Sequence, residues 1–142
     1  MSLEENKAVI RRMVEEVWNG RNAAPVLELV SADCVYRNAR GDELRGQQGY
    51  ERRLAAFRES FPDLRMEIED IFGEGDRVAY RVRTTGTFLG KFRDIEPTGK
   101  PFTARASMFA RFANGKLVEE VEYTGEPTAF EQLGIVWTPP KA

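Results

Sequence analysis

The 142-residue chain carries 21 basic and 23 acidic side chains, a net charge of −2, so no single-sign field marks nucleic acid or an anionic membrane as its partner. It has no histidine and one cysteine, Cys34, which excludes Ser-His and Cys-His nucleophilic pairs, an internal disulfide, a CxxC redox pair and most zinc sites. Chemistry here must run on carboxylates, tyrosine, lysine, arginine or water. The N-terminal stretch mixes charges and no apolar run approaches the ~20 residues of a membrane span. The expectation is one cytoplasmic domain over residues 1–142, with no metal or organic cofactor.

Val9, Ile10, Met13, Val14 and Val17 recur at helical spacing, so the first helix is expected over Glu4 to Trp18, stopped by Asn19-Gly20. Pro25 in a first turn, followed by Val26, Leu27, Leu29 and Val30, predicts a short second helix broken by Ser31-Ala32-Asp33. Cys34 to Asn38 reads as a short strand. Tyr50, Leu54, Phe57 and Phe61 give a third helix from Gly49 to Phe61, which Pro62 ends. Beyond it, alternation predicts strands in "LRMEIEDIF", "RVAYRVRTTGTF", "KPFTARASMFARF" and "KLVEEVEY", with a long loop, "LGKFRDIEPTGKP", suited to cover a pocket. Helices first and strands second indicate an α+β domain.

The last hairpin raises the functional question. Its first strand has an apolar face, Phe102, Ala104, Ala106, Met108, Ala110 and Phe112, and a mixed one with Arg105, Ser107 and Arg111. A two-residue turn at Asn114-Gly115 pairs Phe112 with Leu117 and leaves Glu120 and Glu122 on the mixed, solvated face. A three-residue loop with a glycine bulge slips the register, opposing Met108 to Glu120 and Ala106 to Glu122, inside. Inside, desolvation raises a carboxyl toward the range useful for proton transfer. Elsewhere, Arg81, Arg83, Arg105 and Arg111 are expected to pair with glutamates across strands. Trp18 and Trp137 are expected in the core or at its rim, and Cys34 as a small buried hydrophobe.

"NKAVIRRMVEEVWNGRN", "AAFRESFPDLRMEIEDIFGEGDRVAYR", "GKFRDIEPTGK" and "FARFANGKLVEEVE" together resemble the SnoaL-like polyketide cyclases of the nuclear transport factor 2-like superfamily, over roughly residues 4 to 135. The resemblance implies a cone-shaped, curved antiparallel sheet wrapped by N-terminal helices, a deep apolar pocket, a homodimer formed through the sheet, and the acids facing inward. It places Glu122 where the family carries the aspartate that acts as acid/base in an aldol ring closure. Glu120 falls where histidine is usual, Val121 where tryptophan is usual, Met108 where a polar residue is usual, and Phe88 replaces a common histidine. A second, partial resemblance is to limonene-epoxide-hydrolase-like enzymes. These hold a water with a tyrosine and an asparagine two residues apart, as Tyr36 and Asn38 are here, although no strand carries their Arg-x-Asp.

The resulting expectation is a cofactor-independent cyclase, isomerase or hydrolase acting on an apolar carbonyl or epoxide compound. Glu122, Asn38 and Tyr36 are its candidate catalytic residues, and Glu120, Met108, Tyr80, Phe57 and Ala106 its pocket. The alternative is a non-catalytic ligand-binding or dimeric interaction module of the same fold.

Overall fold

The computed structural model describes residues 2–39, 41–124 and 132–134; Trp137 lies outside them. Helix α1, Leu3–Arg12, opens on a capping box in which the Ser2 hydroxyl accepts from Glu5 N and the Glu5 carboxylate reaches back, so two otherwise orphaned N–H groups are satisfied. It runs on into a π-helical stretch, Met13–Asn19. The wider turn lets Met13, Val14, Val17 and Trp18 all bury. Asn19 then clips this end to the sheet, donating to Met66 O at 2.8 Å and accepting from Met66 N at 2.7 Å.

Helix α2, Ala24–Leu29, carries Pro25 in its first turn as expected. Strand β1, Val30–Asn38, takes in the Ser31-Ala32-Asp33 stretch expected to be a break. It is followed by a three-residue β2, Glu43–Arg45, too short to leave a periodic signal. Helix α3, Gly46–Ser60, starts from Gly46 at φ +71°, backbone that glycine adopts without strain. Strands β3 (Arg65–Glu74), β4 (Arg77–Thr87), β5 (Pro101–Ala113) and β6 (Lys116–Thr124) complete one sheet in the order β2-β1-β6-β5-β4-β3.

The architecture is the expected α+β one, a curved sheet with the N-terminal helices on it. The sheet is open, with β2 and β3 as its edges. One detail differs from the expected antiparallel sheet: β1 runs parallel to β6, while the other pairs are antiparallel. The parallel pair arises because α3, not a hairpin, carries the chain from the β1–β2 end to the far edge. Ile10, Val17, Val26, Val30, Leu54, Val78, Phe88 and Leu117 form the buried core.

Candidate functional site

The β5–β6 hairpin does what neither simple register allows. Asn114 and Gly115 have φ of 51° and 77°, a two-residue turn of the type that matches strand twist, and Phe112 pairs with Leu117. Val118 is then bulged: Arg111 faces Glu119, Ala110 faces Glu120 and Met108 faces Glu122. The bulge therefore sits in the strand and not in the turn, and one extra residue carries both acids onto the apolar face. Glu120 is 3% exposed.

What meets them is a residue absent from the sequence-based set, Arg53 of α3. It is 6% exposed, with Nη1 at 3.5 Å from Glu120 Oε1 and Nη2 at 3.0 Å from Glu122 Oε1. Its guanidinium lies 3.9 Å from the Tyr36 ring centroid and 5.0 Å from that of Trp18. A flat, weakly hydrated cation between aromatic faces is the form in which a positive charge is least costly to bury. The carboxylate–arginine–carboxylate set missing from the strands is thus assembled across helix and sheet. The signal was present: Arg53 stands one helical step from Tyr50 and Phe57 in an otherwise apolar stripe.

Tyrosines complete the shell. The Tyr80 hydroxyl donates to Glu120 Oε2 at 2.5 Å, and Tyr36 donates to Glu122 Oε2 at 3.0 Å. Trp18 Nε1 donates to the Tyr50 hydroxyl at 2.8 Å. Burial drives the Glu120 carboxyl above its ordinary value, outweighing the opposing pull of Arg53 and of the Tyr80 hydrogen bond. Burial likewise raises Tyr36, Tyr50 and Tyr80, so all three keep their protons near neutral pH, and Tyr36 and Tyr80 donate them to the acids. Arg53 stays charged, since Tyr36, Glu122 and Glu120 outweigh the effect of its burial. Cys34 is buried and its thiol is pushed up to about 12, chiefly by desolvation, which suits the small hydrophobe expected there.

The expected deep pocket is divided in two. Inside, Met108, Tyr80, Ala106, Glu120 and Trp18 surround a chamber of about 40 Å3. Outside, Tyr36, Asn38, Asp42, Phe57, Phe92 and Arg93 line a cleft of about 330 Å3. Arg53 and Glu122 line both. The chamber is small because large side chains, Met108 among them, and the crossing Arg53 fill the cone. Asn38 is engaged with Asp42, donating to its carboxylate at 2.9 Å and accepting from its N–H at 3.1 Å, which shapes the turn after β1. Arg93, at φ 56°, pairs with Asp42 across the cleft mouth. Among the described residues no three His, Cys, Asp or Glu side chains converge to hold a metal, and no helix is long and apolar enough to cross a membrane.

The sequence profile of the SnoaL-like polyketide cyclases matches residues 8–133. No curated protein matches significantly. Among solved structures, AclR from Streptomyces galilaeus, a candidate hydroxylase, is 29% identical over 99% of this chain and 91% of its own, with a TM-score of 0.82. IdmH from Streptomyces antibioticus, a candidate polyketide cyclase, is 27% identical over 92% of this chain and 99% of its own, with a TM-score of 0.78. A SnoaL-like protein from Jannaschia sp. CCS1 shares the fold, with a TM-score of 0.86 at 21% identity, over 99% of this chain and 98% of its own.

Proposed function

Because this chain belongs to the SnoaL-like polyketide cyclase family, we propose that it is an enzyme that cyclises or rearranges a small apolar carbonyl compound by proton transfer, without metal or organic cofactor. One observation carries this reading: Glu122 lines the outer cleft while Arg53 and Tyr36 hold its carboxylate. A carboxylate fixed at the floor of a cleft can take a proton from a bound carbon acid and return it at a later step. Tyr36 and Asn38 orient the substrate, with Phe57 as its apolar wall. Glu120, Met108, Tyr80 and Ala106 support the floor from behind. Opening of an epoxide by water at the same acid–arginine–acid set is the hydrolytic version of this chemistry. The similarity to IdmH, a candidate polyketide cyclase, favours polyketide-like ketones as first substrates to try.

The test is turnover of such ketones by wild type and Glu122→Gln. A base of this kind contributes about 10²- to 10⁴-fold, so the variant should lose that much while remaining folded by circular dichroism. Equal turnover by the two proteins would remove Glu122 from the mechanism. The narrow chamber favours a second reading, a ligand-binding module without catalysis, which predicts ligands that raise the melting temperature and are recovered unchanged.

The outer face of the sheet is proposed to pair two copies of the chain. Phe72, Phe109 and Tyr123 are exposed there, Phe109 half so, and Phe72 and Phe109 line a concavity of about 570 Å3. Exposed aromatic surface of this kind marks association. Sedimentation of wild type as a dimer and of Phe109→Glu as a monomer is the expected result; a monomeric wild type would defeat it.

A further inference from the structure

One hydrogen-bond donor of the site has no acceptor. Arg53 gives Nη1 to Glu120 and Nη2 to Glu122, yet its buried Nε has no hydrogen-bond partner in the structure. Leaving such a donor unpaired is costly, and a buried group kept in that state calls for an explanation. Both Nη atoms are engaged by the acids, and Arg53 lines the outer cleft together with Glu122.

We infer that Arg53 is itself a catalytic residue, which binds the enolate oxygen formed when Glu122 takes a proton from the carbon beside a substrate carbonyl. The inference rests on the proposed role of Glu122 as base. In this step the carbon–hydrogen bond breaks, an O–H bond forms on Glu122, and the freed electron pair moves onto the carbonyl oxygen. Before the step Arg53 faces the negative charge of Glu122. After it, Glu122 is neutral and the same guanidinium faces the enolate oxygen, so the site's total charge is unchanged.

The guanidinium lies over the Tyr36 ring, 3.9 Å from its centroid, and its fork is tied to the two acids. Such preorganised donors are worth most where water is excluded. The substrate class is therefore narrowed to compounds with an acidic C–H beside a carbonyl, ketones and 1,3-dicarbonyls. The cleft, at about 330 Å3, lies near the low end of small-molecule sites and selects compact ones.

The probe is 4-nitrophenol, whose anion carries its charge on an oxygen joined to a π system and absorbs apart from the neutral acid. It is titrated with protein at a pH where it is neutral in free solution. The expected result is a saturable phenolate band in wild type. Arg53→Lys keeps the charge but lacks Nε and the fork, and should weaken phenolate binding by about tenfold or more. Binding seen as a rise in melting temperature, without the band, overturns the role of Arg53 and leaves Glu122 as the base. No binding at all overturns the role of Arg53 and, with it, the cleft as the substrate site. Should Arg53→Lys fail to fold, the wild-type band alone decides.

Discussion

Glu119 and Glu120 are consecutive in β6 and both face arginines, but they stand in different solvents. Glu119, on the outer face, has Arg37 at 3.2 Å and Arg111 at 4.0 Å and is partly open to water in the single chain. Glu120 has Arg53 at 3.5 Å and is sealed beneath Tyr80. The outer pairs include shorter ones, Arg83 with Glu67 and Arg105 with Glu69, each at 2.8 Å. Distance alone would rank the surface pairs above the interior one. Desolvation reverses that order, because a solvated pair exchanges protein contacts for water at little net gain, whereas a buried charge stripped of its partner has no water to turn to.

Removing the arginine from each face breaks the comparison most sharply. Arg53→Leu strands two carboxylates and should lower the unfolding free energy by about 3–5 kcal/mol, read by urea denaturation. Arg105→Leu should change it little, and equal losses would show that the interior is wet. Next, Tyr80→Phe deprives a buried carboxylate oxygen of its donor and should cost roughly 1–3 kcal/mol. Tyr36→Phe, acting on the more accessible Glu122, should cost less.

The pH dependence sharpens the contrast because its sign differs between the faces. The raised carboxyl of Glu120 means that, above the ordinary value of 4.5 and up to its native value, the folded chain binds a proton that the unfolded chain has lost. Stability therefore falls as pH rises through that window, by at most about 1.4 kcal/mol per pH unit. Glu120→Gln should flatten this slope. Glu69 is held below its ordinary 4.5, first by the Arg105 hydrogen bond. Its contribution is complete above 4.5 and disappears as pH falls through the native value. The smallest effect expected is that of Glu69→Gln, which about 1 M salt should erase, while leaving the Glu120 slope in place. Melting curves across pH and salt check both.

The helices were legible because Ile10, Val17, Leu54 and their neighbours obey a 3.6-residue period that burial requires. The family resemblance supplied the curved sheet wrapped by helices. Less legible was whatever departs from a period. The extra residue at Val118 breaks the alternation of β6, so Leu117, Glu120 and Glu122 share a face that simple counting assigns to two. Arg53 was hidden for the opposite reason: it sits within the period of α3, where a charged side chain is ordinarily read as an interruption. Its meaning depends on acids roughly 70 positions away, a distance over which no local pattern operates. The division of the pocket follows from side-chain volumes packed together from six elements, and no single stretch announces it.

The bulge at Val118 also makes the hairpin modular. Leu117 keeps phase with the turn and the core, Glu120 and Glu122 keep phase with the acid-binding interior, and the unpaired residue is a joint between the two. Deleting Val118 would straighten the joint and still leave Leu117 opposite Phe112 and Glu120 opposite Ala110. Deleting a single residue between Glu120 and Glu122 would send one acid outward. Length changes are thus absorbed on the turn side of the joint and punished on the other, so this strand can tolerate drift in its loop without losing its chemistry.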